Sequence, residues 1–357
     1  MSKPEFASKD RKAIRLFTGN AHPKLAADIV ARLGLDLGDA KVSKFRDGEI
    51  QVEIGESVRG KDVYLIQSMC GDVNMSLMEP STSNWTTKSK SMYGDVNTAL
   101  MELLVMIDAA KRASANSITA VIPYFAYARQ DRKVASRAPI TAKLVADLIS
   151  TAGAQRVITV DLHAGQIQGF FNTPVDNLYA AQELVNTFIN CVKCSHDDIV
   201  VVSPDAGGAQ RALYFSRLLR GVDTDLAVIV KERTKPGEVE RMILVGEVRG
   251  KTAVLVDDIV DSAGTLAKAA EKLCKEHAAA IYACCTHPVL SGPAVKNIQD
   301  SPIKKLFVTD TIPLRPDAVA CEKIEVTTVS HLLANGIKQI QTRGSISELF
   351  PTWSNKK

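Results

Sequence analysis

Along most of the chain, short runs of β-branched and other apolar residues alternate with longer stretches whose apolar positions recur every three or four residues. The short runs fall at residues 63–67, 118–122, 156–160, 198–202, 226–230, 252–256, 280–284 and 306–309. Several are apolar almost throughout, as strands buried on both faces of a parallel sheet should be. The longer stretches at 97–112, 139–152 and 265–277 read as amphipathic helices. In the last of these, Leu266, Ala269, Ala270, Leu273 and Cys274 share one face. Such alternation implies an α/β protein with parallel sheets flanked by helices. At 357 residues the chain holds two units of this kind. The turn-rich segment NTPVDN puts the boundary near Leu178. That gives an N-terminal unit over 1–178, a C-terminal unit over 179–342 and a tail over 343–357.

The alternation is interrupted once. Residues 68–79 (SMCGDVNMSLME) recur as residues 91–102 (SMYGDVNTALME). The second copy runs on into a helix, whereas the first stops at Pro80 and enters the polar stretch STSNWTTKSKS. A repeat that occurs once is no solenoid. It reads as a local duplication that left an insertion at about 71–93, which a surface loop tolerates.

Composition narrows the class. Hydrophobic residues make up 46% and charged residues 24%, the profile of a globular protein. The net charge of +4 is too small on this surface to call for nucleic acid or membrane as a partner. No apolar run approaches the ~20 residues of a membrane span. The basic N-terminus lacks the apolar core of a secretory signal, so the expected location is cytoplasmic. The seven cysteines are irregularly spaced. Cys191 and Cys194, with His196 behind them, have ligand-like spacing but no second pair to complete a zinc site. They read as reduced structural thiols.

The strongest chemical signal is VLVDDIVDSAGT, residues 254–265. An apolar strand ends in two adjacent carboxylates, and a loop of small residues then opens a helix. Asp257 and Asp258 suit the paired hydroxyls of a ribose. Asp261, Ser262, Ala263, Gly264 and Thr265 offer backbone N–H groups and hydroxyls where a helix N-terminus favours a phosphate. The segment resembles the phosphoribosyl-binding motif of the phosphoribosyltransferase superfamily.

Five further segments bear on the choice within that superfamily. PYFAYARQDRK (123–133) sets Arg129, Arg132 and Lys133 among aromatics, suiting an adenine and a triphosphate. DLHAGQIQGFF (161–171) puts His163 just past a strand end, and SPDAGGAQR (203–211) does the same for Asp205. FRDGE (45–49) surrounds a turn with an aromatic and two acids. VKERTKPGEVER (230–241) puts Lys231 and Arg233 at the mouth of a Pro/Gly loop. Taken singly, each has an ordinary structural reading: a core histidine, surface charge, a helix cap, a solvated hairpin. Together, and in this order, they resemble the class I ribose-phosphate pyrophosphokinases, from about residue 14 to residue 350. The departures are the N-terminal tail and the insertion.

The resemblance implies two tandem phosphoribosyltransferase-like, Rossmann-like domains. It also implies pyrophosphoryl transfer from ATP to ribose 5-phosphate with magnesium as cofactor. By the same resemblance, Phe45, Asp47, Glu49, Arg129, Gln130, Asp131 and His163 would bind ATP, partly across a subunit interface. His163 and Asp205 would serve the metal. Asp257, Asp258 and residues 261–265 would hold ribose 5-phosphate, and Lys231, Arg233 and Arg129 would act on the reacting phosphates. A homo-oligomer, a hexamer by family habit, would respond to phosphate and ADP through Ser57, Arg59, Arg137, Gln168, Asp176, Asn177, Ser345 and Ser347. Two other readings share the motif: a phosphoribosyltransferase that consumes the activated sugar, and a non-catalytic associated subunit. The presence of Arg129, Gln130, Asp131, Lys231 and Arg233 argues for the enzyme.

Overall fold

The computed structural model describes residues 12–71, 95–192, 198–220, 225–232 and 241–350. The insertion beyond Gly71, Arg233, Cys194 and His196 lie outside these residues.

The first unit runs β1 (Ile14–Thr18), α1 (Pro23–Leu33), β2 (Ala40–Lys44), β3 (Ile50–Ile54), β4 (Asp62–Ile66), α2 (Val96–Arg112), β5 (Ser117–Ile122), α3 (Thr141–Ala152), β6 (Arg156–Val160) and β7 (Val175–Leu178). Helix α1 starts at a proline, with the His22 Nδ1 accepting the Leu25 N–H, and closes on left-handed Gly34. Helix α2 is capped by Asp95, whose Oδ1 accepts the Thr98 N–H at 2.7 Å. Strands β1, β4, β5, β6 and β7 form a five-stranded parallel sheet in that order. Antiparallel β2 and β3 form a separate hairpin with Phe45–Glu49 at its tip.

The apolar runs explain the layers. In β4, Val63 and Leu65 pack toward α2 and α3, while Tyr64 and Ile66 pack into a second core on the opposite face. A strand apolar at every position is what a sheet covered on both sides requires.

The second unit runs α4 (Ala181–Cys191), β8 (Ile199–Ser203), α5 (Ala209–Arg220), β9 (Leu226–Glu232), β10 (Arg241–Val245), β11 (Thr252–Val260), α6 (Gly264–Lys275), β12 (Ala280–Pro288), α7 (Ala294–Asp300), β13 (Lys305–Thr309), α8 (Pro316–Val319), β14 (Ile324–Thr327) and α9 (Ser330–Gln341). Its seven-stranded sheet has the order β10-β9-β8-β11-β12-β13-β14, parallel except for β10. Helices α6 and α7 cover one face, and α4 and α5 the other.

Helix α9 departs from the boundary drawn in the sequence. Although it follows β14, its Leu332, Leu333, Ala334 and Ile337 pack against α1 and the back of the five-stranded sheet. Without it, Ile158, Val160 and Leu178 would lose much of their apolar cover. The last helix of the 179–342 span therefore completes the core of the first unit. At the insertion, a Cβ built on Gly71 would lie 3.0 Å from the Cα of Asp95, so the two ends of the undescribed segment touch.

Candidate active site

Strand order locates the site. After β8 the chain moves outward through β9 and β10, then returns to place β11 on the other side of β8. Such a switch point opens a crevice at the carboxyl ends of the strands, where α/β proteins bind ligands. The register shows it: β11 pairs with β8 only as far as Leu255, but continues along β12 to Val260. Asp257 and Asp258 lie past the divergence. The strand does not stop at the carboxylates, as the sequence pattern suggested; one of its neighbours does.

A cavity of about 1100 Å³ occupies this crevice. It gathers Arg129, Asp131 and His163 from the five-stranded sheet, and Asp205, Asp257, Asp258 and Asp261 through Thr265 from the other. Ala263 sits at φ 58°, left-handed, immediately before α6, and the Asn297 Nδ2 donates to the Ser262 carbonyl at 2.8 Å. The loop is thus held with its amides at the start of a 12-residue helix. At the neighbouring strand end, Asp205 Oδ1 accepts the Gly208 N–H at 2.9 Å. A Cβ on Gly208 would come within 2.8 Å of the Ser203 Oγ, which donates to the Asp205 carbonyl at 2.6 Å, so a side chain here would disturb that bond.

The carboxylate pair is not free. The Asp258 side chain is 3% exposed and both oxygens are engaged. Arg211 Nη1 lies 2.9 Å from its Oδ1, and His163 Nδ1 lies 2.7 Å from its Oδ2. Arg211 also stands 3.5 Å from Asp257 Oδ1. Burial alone would raise the Asp258 pKa, but the His163 hydrogen bond and the Arg211 charge hold it well below the carboxylate range. Burial, and then the neighbouring Asp258 charge, push Asp257 up. The hydrogen bond to Asp258 lifts His163 above the usual imidazole value. Across the cavity, Arg129 Nη1 pairs with Asp261 Oδ2 at 2.7 Å, while Ser291 donates to the other oxygen. Burial is again outweighed, and Ser291 and Arg129 keep Asp261 low.

The remaining expected residues fall elsewhere. Phe45, Asp47 and Glu49 stand at the exposed hairpin tip, outside this cavity, with Phe45 51% exposed. Gln130 is outside the lining and accepts the Thr141 hydroxyl. Lys231 lies near the end of β9, and its side chain, like Arg233, is outside the described residues. Of the effector candidates, Asn177 lines the cavity and its Oδ1 accepts the Leu162 N–H at 3.0 Å. Asp176 pairs with Arg156 at 2.6 Å, and the Gln168 amide donates to the Gly165 carbonyl. The Ser345 and Ser347 hydroxyls share a hydrogen bond, and Ser57, Arg59 and Arg137 are surface residues.

Sequence reading missed Arg211, which looks like any helical surface charge, and Asp161. Asp161 is buried at φ 42°, and its Oδ2 accepts the Thr286 hydroxyl at 2.7 Å and the Ala180 N–H at 3.1 Å. His287 approaches its carbonyl at 3.1 Å. This joint ties the end of β6 to the end of β12, and so one sheet to the other.

Two sheets, parallel but for β10, that meet at their carboxyl ends, with a carboxylate pair and a small-residue loop opening a helix at the switch point, give the phosphoribosyltransferase-like class of α/β fold. A family model described as the N-terminal domain of ribose phosphate pyrophosphokinase matches residues 14–92 and again 88–153. A second, described as the phosphoribosyl synthetase-associated domain, matches residues 220–351. The ribose-phosphate pyrophosphokinase of Caldanaerobacter subterraneus is 51% identical over 338 residues, covering 95% of this chain and 98% of that protein. Ribose-phosphate pyrophosphokinase 2 of Schizosaccharomyces pombe is 47% identical, covering 95% and 97%. The crystal structure of phosphoribosylpyrophosphate synthetase from Mycobacterium smegmatis superposes with a TM-score of 0.80 at 38% identity, covering 93% of this chain and 99% of that one. The chain belongs to the ribose-phosphate pyrophosphokinase family.

Proposed function

We propose that the chain transfers the pyrophosphoryl group of ATP to the anomeric hydroxyl of ribose 5-phosphate, releasing AMP and forming 5-phosphoribosyl 1-pyrophosphate. The observation that carries this reading is the shared cavity. Arg129 and His163 of one sheet face the Asp257–Thr265 strand end and phosphate loop of the other. A transfer between two phosphorylated substrates needs both half-sites in one water-limited space.

The sugar phosphate group would sit on the amides before α6, with its hydroxyls toward Asp257. The anomeric oxygen attacks the β-phosphorus, the bond to the α-phosphate oxygen breaks, and the hydroxyl proton is released. Such transfer is catalysed chiefly by positioning and electrostatics. Arg129, Lys231 and Arg233 would balance the charge on the phosphoryl oxygens in flight. Magnesium suits the donor set. Among the described residues no cluster of three metal-binding side chains exists. Magnesium in such enzymes takes one or two protein ligands, with phosphates and water supplying the rest. Asp205 and His163 would hold it, and when bound it would offset phosphate charge.

Phe45, Asp47 and Glu49 stand away from their own cavity, which supports their serving the nucleotide of a second copy in a homo-oligomer. A hexamer, phosphate and ADP as effectors, and a cytoplasmic location complete this reading. Among the described residues no helix is long and apolar enough to cross a membrane. The deciding experiment is AMP release from ATP. It should require ribose 5-phosphate and a divalent cation, and AMP release independent of ribose 5-phosphate would refute the assignment.

A further inference from the structure

Asp258 was expected beside Asp257 as an acceptor for ribose hydroxyls, yet its carboxylate is buried and spoken for on both sides. One oxygen faces Arg211, from the same unit, at 2.9 Å. The other faces His163, from the opposite sheet, at 2.7 Å. An ionised carboxylate has no proton to give and arginine has no lone pair to accept with. The hydrogen on the His163–Asp258 contact therefore belongs to the imidazole Nδ1. In the neutral ring this leaves the lone pair on Nε2, at the end of the ring away from the buried carboxylate. The His163 side chain is 38% exposed and lines the cavity, so that end is the one open to it.

We propose that Asp258 is a positioning residue: it fixes the tautomer and orientation of His163 so that Nε2 presents a lone pair to the cavity. Carboxylates commonly play this part behind metal-binding histidines, and their loss weakens metal affinity or activity about ten- to hundredfold. The use made of that lone pair rests on the metal role given to His163 above. The orientation itself does not.

Arg211 makes the proposal unusually specific. In Asp258→Asn the amide has one oxygen and one NH2. Arg211 can only donate, so it selects the oxygen and turns the NH2 toward His163. The imidazole Nδ1 must then accept, its proton moves to Nε2, and the cavity meets an N–H in place of a lone pair. An isosteric substitution would reverse the polarity of a side chain it merely touches.

The test uses full-length enzyme with 15N-labelled histidine, free of substrate, at a pH above the imidazole titration. Long-range proton–nitrogen correlation spectra assign the tautomer, and His163→Gln identifies the His163 signals. Wild type should show the proton on Nδ1, Asp258→Asn on Nε2, and Asp257→Asn should match wild type. Binding of manganese with α,β-methylene-ATP, read by water proton relaxation, should weaken about ten- to hundredfold in Asp258→Asn. A proton on Nε2 in wild type overturns the proposal even if the variant does not fold. An unchanged tautomer in a folded Asp258→Asn also overturns it. A switched tautomer with unchanged manganese–nucleotide affinity supports the orientation and removes His163 from the metal site.

Discussion

The two sheets bring different things to the cavity they share. The seven-stranded sheet supplies a charge that is buried and already paired, Asp258 at 3% exposed against Arg211 at 23%. The five-stranded sheet supplies side chains in partial contact with solvent, His163 at 38% and Arg129 at 50% exposed. One side is built before any ligand arrives and holds His163 of the other in place, whereas Arg129 can move onto a ligand. A compact sugar phosphate suits a fixed receptor, whose ordering cost is met in folding. A long polyphosphate suits arginines that trade a partner such as Asp261 for a phosphate.

That contrast can be broken at Arg211. Removing one partner of a buried charge pair typically costs about 3–5 kcal/mol. Arg211→Ala should therefore melt far below wild type in a thermal scan and lose nearly all activity. Near-normal melting would mean that the carboxylates ionise without it. Arg129→Ala sharpens the other half. The exposed pair with Asp261 contributes under about 1 kcal/mol to stability, so melting should hardly change. Turnover with ATP should nonetheless fall about ten- to hundredfold as a charge-assisted contact is lost, measured by AMP release at saturating ribose 5-phosphate. A large melting shift here would erase the distinction between the sheets.

A smaller effect tests the contact that joins them. The folded pKa of His163 lies above its ordinary value of 6.5 because Asp258 faces it. The extra stability that the charged imidazole adds over the neutral one is therefore complete below 6.5 and disappears as pH rises through the folded value, leaving the neutral hydrogen bond. The melting-temperature gap between wild type and His163→Gln should be widest in mild acid and narrower in alkali. A gap independent of pH would mean that the imidazole has the same pKa folded and unfolded. The smallest effect is expected from deleting residues 72–94. Gly71 and Asp95 already touch, so joining them should leave turnover within about twofold of wild type. Melting should be equal or higher, since a long loop no longer has to be closed. Loss of folding would show that the segment carries structure the core needs.

The sheets were legible where strands buried on both faces form unbroken apolar runs, such as 199–202 and 252–256; β1, also buried on both faces but broken by Arg15, was missed. Strands β2 and β3 were missed too. Lys41, Ser43, Gln51 and Glu53 alternate with apolar residues on a hairpin open to solvent, and no apolar run marks it. The backing of α9 onto α1 joins residues some three hundred positions apart, and no local pattern encodes that. Among the site residues, the loop at 261–265 announced itself because its small and hydroxyl residues are contiguous in sequence. Arg211 did not, since its meaning comes from standing opposite β11, and the engagement of Asp258 became visible only when His163 arrived from the other sheet.

The touching ends at Gly71 and Asp95 also bear on heredity. The copies begin at residues 68 and 91, and the segment 72–94 is as long as that offset, so gaining or losing one whole copy always restores the same Gly–Asp junction in phase. Copy number is thus nearly invisible to the fold. A difference within the copies and one just beyond them decide which copy is used where. The first offers Cys70 for a buried slot that the second would fill with the bulkier Tyr93. The second continues with Leu103 inside a helix, where the first would place Pro80 and break it.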